Sequence, residues 1–213
     1  MALLSSLTDR IAPETPGALD STIDLAVSRA AADFFRRAEV WRVPISGATY
    51  GTNRMHITSG LEVETRLMAI LELRHGSTAK LLDPANPIQM ARKYPNEDTG
   101  TPKVYAVIGD DEVEVAPFES STDTTFQGRG IIVPTLDMTI MPDELFDQYE
   151  EIIMHGALYR LLGQPQKTWT NVTLAREYRG LFEIAANNQR VAYKRANRSA
   201  KISKTKAYGG LLD

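Results

Sequence analysis

The chain has 213 residues and no cysteine, and its 24 Lys and Arg against 27 Asp and Glu give a formal net charge of −3. That length predicts one domain, or one domain carrying an insertion, and the lack of cysteine excludes a disulfide framework, a thiolate metal site and a cysteine nucleophile. No run approaches the ~18 apolar residues of a membrane-spanning helix, and no basic stretch followed by a long apolar run marks a leader, so the expectation is a soluble, cytoplasm-made protein with no membrane partner.

Residues 1–18, with Pro13, Pro16 and Gly17, read as an irregular N-terminal arm. Ile23, Val27, Ala30, Ala31, Phe34 and Ala38 then recur at helical spacing, which predicts a helix over 20–40. Asp20 or Ser21 can cap it, and the run Ala30-Ala31-Ala32 calls for close approach of another helix. Residues 41–141 read as a β-rich insertion. Extended segments at 43–45 and 54–57 lead to a strand over 61–74, with Val63, Thr65, Leu67, Ala69, Leu71 and Leu73 on one face; a helix competes for the same stretch. Pro87 opens a short helix over 88–94. A hairpin of 103–108 and 112–116 turns at Gly109-Asp110, with glycine supplying the positive φ of a tight turn. Residues 120–127 read as an exposed loop, Gly128-Arg129-Gly130 as a loop tip, and 130–140 as a strand that Pro134 confines to an edge or a kink.

Two helices close the chain. The first, over 144–163, carries Leu145, Tyr149, Ile152, Ile153 and Gly156 at helical spacing and stops at Gly163, two residues before Pro165. The second, over 171–197, starts at Asn171 or Thr173 and keeps Leu174, Tyr178, Leu181, Phe182, Ala185 and Ala192 on its apolar face. The expected fold class is α+β: a helical bundle of the N-terminal helix and the C-terminal pair over 19–197, with an inserted antiparallel β-rich subdomain and an extended C-terminal tail over 198–213.

Charge is unevenly placed. From residue 190 onward seven cations face Asp213 alone, a balance of +6, so the total of −3 leaves −9 on residues 1–189. An acidic body with a basic end points to a partner of opposite sign, protein or nucleic acid, the alternative being a solvated, disordered end. The candidate partner-binding residues are Arg190, Lys194, Arg195, Arg198, Lys201, Lys204, Lys206, Tyr208 and Leu211.

Chemistry is weakly represented. His56, His75 and His155 lack metal-ligand spacing. Asp110, Asp111, Glu112 and Glu114 lack the spacing of a calcium loop and read as a solvated turn. Glu62 and Glu64 have no partner base for acid–base work. Trp41 and Trp169 flank helix ends and read as packing anchors. No catalytic residue, metal ligand or cofactor is expected, and the chain is not expected to be an enzyme.

Several blocks combine into a resemblance. They are Ala32-Asp33-Phe34-Phe35-Arg36-Arg37-Ala38-Glu39-Val40-Trp41-Arg42, Met141-Pro142-Asp143-Glu144-Leu145, His155-Gly156-Ala157-Leu158-Tyr159-Arg160-Leu161-Leu162, the elbow Gln164-Pro165-Gln166-Lys167-Thr168-Trp169-Thr170-Asn171, and Leu174-Ala175-Arg176-Glu177-Tyr178-Arg179 with Phe182. In this order, over residues 20–195, the chain resembles the head-to-tail adaptor (connector, gatekeeper) proteins of tailed phages, the group that includes tail tubular protein A of short-tailed phages. The resemblance implies a structural virion protein at the head–tail junction. It implies a homo-oligomeric ring of twelve copies under the portal protein, with the C-terminal tail reaching back to the portal. The next tail or nozzle protein would bind the other face, and genome DNA would cross the lumen without sequence-specific binding. The alternative is a nucleic-acid-binding subunit whose basic tail contacts phosphates. An enzyme with its site in the β-rich insertion is the third reading.

Overall fold

The structure, a computed structural model, describes residues 1–95, 99–119 and 123–208, with the side chains of the last helix described as far as Arg195. The chain divides into two units, one of residues 1–40 with 134 onward, the other of residues 41–133.

The first unit is built on three long helices: α2 (Asp20–Ala38), α4 (Asp143–Leu162) and α5 (Val172–Tyr208). Each packs on the other two. α2 buries Ile23, Val27, Ala30, Phe34 and Ala38, the stripe that the three-to-four spacing predicts. It ends at Glu39, which takes a left-handed φ of 56° while its amide bonds Phe35 O. α4 begins directly after Pro142, with Asp143 as its first residue, and the Asp143 carboxylate takes the Met1 amine at 2.5 Å. At the elbow, Asn171 accepts the Leu174 amide at 3.1 Å and caps α5.

The three helices converge on Gly156. A Cβ there would lie 2.7 Å and 2.8 Å from the Phe182 ring on α5 and 2.9 Å from Ala30 Cβ on α2. Only a residue without a side chain lets the helices pack this closely. The expected N-terminal arm is ordered around this unit. It holds β1 (Ala2–Leu3), a 3-10 turn, α1 (Thr8–Ile11) and a second 3-10 turn, and it buries Leu4, Leu7 and Ile11. β1 pairs with β9 (Ile140–Met141).

The second unit is a seven-stranded sheet. Its strands are β2 (Arg42–Thr49), β3 (Arg54–Ser59), β4 (Thr65–His75), β5 (Asp83–Pro84), β6 (Val104–Val107), β7 (Glu112–Ala116) and β8 (Thr124–Pro134), and α3 (Pro87–Lys93) joins β5 to β6. They lie in the order β4-β8-β2-β3-β7-β6-β5. β5 and β6 run parallel, so the sheet is mixed. It nearly closes on itself. Leu67 N donates to Asp110 O and Leu82 N to Leu73 O, both at 2.9 Å, which ties β4 to the far end of the strand order. Met55, Leu73, Val113, Val115 and Phe126 fill its core with no exposure at all.

This overturns the expected architecture. The strands are not an antiparallel insertion subordinate to a helical bundle. They form a large mixed sheet with a core of its own, beside five α-helices among the described residues. Nor is there an extended tail from residue 198, because α5 runs unbroken to Tyr208. Three local expectations also fail. Gly109 does not take a positive φ. Residues 124–127 belong to β8, which lies inside the sheet. The supposed loop tip at Gly128 is a close crossing, where a Cβ would fall 2.1 Å from Glu72 O on the neighbouring strand.

Gly156→Ala is expected to destabilise the helical unit by about 1–3 kcal/mol through overpacking. Gly180→Ala, where a Cβ meets nothing within 4 Å, is expected to stabilise it by about 0.5–1 kcal/mol through helix propensity. Urea unfolding followed by far-UV circular dichroism measures both.

Candidate functional site

The functional surface expected from the sequence lies on the last helix, so its support comes first. Phe34 and Phe35 on α2 pack against Tyr149 on α4, with ring centroids 4.9 Å and 5.8 Å away. Tyr149 is almost fully buried, and burial, with the Tyr193 hydroxyl of α5 alongside, pushes its phenol up to about 12. Below this layer Arg160 crosses between helices. Its guanidinium donates to Gly156 O at 2.6 Å and to Asp33 Oδ2 at 2.8 Å, and its Cζ lies 4.4 Å from the Tyr159 ring centroid. Asp33 also accepts from Arg37 at 2.8 Å. Both members of the Asp33–Arg160 pair are about one-fifth exposed, so the pair is partly desolvated and outweighs an ordinary surface ion pair.

The last fully buried residue described on α5 is Ala186. Beyond it Arg190, Lys194 and Arg195 are exposed. Arg190 is not a free cation, because its Nη2 lies 3.0 Å from Glu39 Oε1 and pins the end of α2 to α5. Arg198, Lys201, Lys204, Lys206 and Tyr208 continue the same helix. Helical spacing makes Arg190, Lys194, Arg198 and Lys201 successive positions i, i+4, i+8 and i+11. Leu211 lies outside the described residues. The expected partner-binding set, Leu211 apart, therefore lies on one helix with a cation on each successive turn from Arg190 to Lys201, and Arg190 already serves the fold.

Sequence periodicity misplaced some apolar residues of α5. Leu181 and Ala192 were expected on the buried face and are exposed. Leu181, Ile184 and Val191 form an exposed apolar row, at 50%, 61% and 45% exposure. Their spacing of three and seven was the available signal, masked by Phe182 and Ala185 on the buried side.

In the sheet unit one constellation has the groups of a nucleophile, a base and an orienting acid. Ser77 Oγ lies 3.1 Å from His75 Nδ1, and His75 Nε2 lies 3.6 Å from Glu119 Oε1. A cavity of about 230 Å³ adjoins them, lined also by Asp123, Thr124 and Thr125. Yet Ser77 sits two residues from His75 in the same turn, and the Thr78 amide approaches the same nitrogen at 3.4 Å. Both donors address one lone pair, which makes the imidazole a cap for the turn after β4. The acidic turn is likewise engaged: Arg66 pairs with Asp110 at 3.9 Å, Arg54 with Glu112 at 3.1 Å, and Asn53 donates to Glu114 at 2.7 Å. Among the described residues no group of three His, Asp or Glu side chains could hold a metal ion. Trp41 is buried, and Glu64 holds a left-handed φ of 60° in a turn.

Comparison of the chain with protein-family models and with curated proteins finds no match.

His155 on α4 stacks on Tyr178 of α5 at 5.3 Å, and burial lowers its pKa while Glu151 works the other way. The folded state therefore resists protonation. Stability is full above about pH 6.5, the ordinary imidazole value, and falls as the pH drops from there to the folded pKa. Urea midpoints between pH 7 and pH 5 should decline for the native chain, and His155→Gln should remove that component of the slope.

Proposed function

We propose that this chain is a structural virion protein, a head-to-tail adaptor of a tailed phage. Copies assemble into a ring, twelve in the related adaptors, that joins the portal to the next tail protein and lets the genome pass through its lumen. The block order from Ala32 to Phe182 supports this reading, and so does the absence of a completed catalytic set among the described side chains. The observation that carries it is α5. At 37 residues and a rise of 1.5 Å each, it is about 55 Å long. Its last third carries most of the cations clustered at the chain's basic end, past Ala186, the last buried residue described on the helix. A positively charged helix end suits docking onto an acidic protein surface. The docking set is Arg190, Lys194, Arg195, Arg198, Lys201, Lys204, Lys206, Tyr208 and Leu211, and the role is connection rather than catalysis. No helix of the described residues is long and apolar enough to cross a membrane.

A second reading rests on the same helix end, whose cations would equally contact phosphates. Duplex binding would then weaken with salt at a logarithmic slope of about −0.9 per phosphate contacted.

Truncation after Asn197 tests the first reading. The shortened chain should unfold at the same urea midpoint as the full chain and fail to bind the portal ring of the same virus, as seen by electron microscopy of the mixture. A truncated chain that still docks removes the helix end from the mechanism. Retention of duplex DNA on a filter at low salt, with no portal complex formed, favours the second reading.

A further inference from the structure

The end of β4 holds a polar group that the fold does not satisfy. His75 is 4% exposed, and its Nε2 has no hydrogen-bond partner. Glu119 Oε1, which faces it, lies 3.6 Å away, outside hydrogen-bonding range. A buried donor in this position is destabilising until something accepts from it. The space for an acceptor is present: His75 and Glu119 line the cavity of about 230 Å³ together with Ser77, Asp123, Thr124 and Thr125.

The turn after β4 decides which chemistry a ligand meets at the ring. The Thr78 amide can only donate, and it approaches His75 Nδ1 at 3.4 Å. Nδ1 is therefore an acceptor, and the ring proton sits on Nε2. A nitrogen that carries its proton does not ligate a metal ion, and it calls for an oxygen that accepts. The rest of the lining calls for the opposite. Glu119 and Asp123 bring two carboxylates, and no Lys or Arg is among the described lining residues. Thr124 Oγ1 donates to Glu119 Oε2 at 2.8 Å, which holds that carboxylate beside the ring. Asp123 is exposed and has no cationic partner among the described residues.

We propose that this cavity binds a small vicinal amino alcohol, the unit found in amino sugars. The ammonium donates to Glu119 and Asp123, and the hydroxyl oxygen accepts from His75 Nε2–H. Nε2 and Glu119 Oε1 are only 3.6 Å apart, so the ligand's acceptor and donor must sit on neighbouring carbons. The two carboxylates select a cation, and the ring proton selects an oxygen beside it. A plain alkylammonium leaves Nε2–H unpaired, a diol leaves the carboxylates without a counter-charge, and an anion is repelled by them. The cavity is smaller than the ~300 Å³ at which drug-sized sites begin, which fits a ligand of one sugar ring or less. This is a binding site in the sheet unit, and it stands or falls independently of the adaptor reading.

Ethanolamine is the probe, added at neutral pH to the isotope-labelled full chain. Long-range proton–nitrogen correlation spectra first read the tautomer, and His75 should carry its proton on Nε2. Ethanolamine should then shift the His75 Nε2 signal saturably at millimolar concentration. Ethylamine, which lacks the acceptor, and ethylene glycol, which lacks the charge, should each bind about tenfold more weakly or not at all. Glu119→Gln and Asp123→Asn should weaken ethanolamine by a similar factor, with folding confirmed by circular dichroism. Glu119 also holds Thr124, so Asp123→Asn, at an exposed position, keeps the test readable if Glu119→Gln does not fold. A proton on Nδ1, no saturable shift with ethanolamine, or ethylene glycol or ethylamine binding as tightly would each overturn the proposal. So would unchanged ethanolamine binding in a folded Asp123→Asn chain.

Discussion

The helical unit depends on how closely three helices can approach at Gly156. With Ala30 opposite and the Phe182 ring above, the contact leaves no room for one more carbon. Two polar features follow from that closeness. Arg160 stands one turn beyond Gly156 and bonds its carbonyl, and Asp33 stands one turn beyond Ala30. The spacing of α2 and α4 brings these two side chains to 2.8 Å. A larger residue at 156 would therefore disturb both the apolar layer and the ion pair. The two effects are coupled, and their costs would not simply add.

The sheet obeys a different constraint. A sheet that nearly closes must bend, and backbone must cross backbone closely where it bends. Gly128 against Glu72 O is such a crossing, and at Gly76 a Cβ would lie 2.2 Å from Thr125 Oγ1. Both lie between β4 and β8 or at their ends, and Gly76 N bonds Thr125 O at 2.7 Å. His75, buried beside this crossing, spends its Nδ1 on the turn. Its neighbours Ser77 and Glu119 resemble a catalytic chain only in the identity of their groups, because the backbone amide of Thr78 competes for the nitrogen that a general base would need free.

What the sequence disclosed follows from how local each signal is. The α2 stripe, the Ala30–Ala32 run, Gly156 and the Asn171 cap are short-range patterns, and each appears in the structure in the role it suggested. Strand order is long-range. Nothing in residues 65–75 or 124–134 says that β8 lies between β4 and β2, so Gly128-Arg129-Gly130 read as a loop tip although it sits mid-strand. Residues 124–127 looked like a loop because Thr and Gln are polar, yet Thr124 and Phe126 alternate into the core. The candidate interaction surface was half legible. The cations were plain from composition, but the α5 apolar row was hidden, because Leu181 adjoins the buried Phe182 and a single apolar stripe absorbed both. The end of α5 was misjudged for a related reason: high charge was taken for an extended chain, although Arg, Lys and Ala are good helix formers.

That correction changes the energetics of the helix end. A tail that is extended until it meets a partner gives up conformational entropy on docking, which reduces affinity. A helix end does not face the same penalty, because nucleation is the costly step and here it is already met. The packed turns from Val172 to Ala186 fix the helix, and each further residue adds one hydrogen bond for one pair of dihedrals. With propagation close to neutral, residues 190–208 can continue the helix that the packed turns begin. Under the proposed adaptor reading, their cations would be held at fixed spacing before a partner arrives, so association would draw on electrostatic steering and lose little to ordering. Among the described side chains, the burial of Ala175, Phe182 and Ala186 and the Arg190–Glu39 pair hold α5 ahead of Lys194.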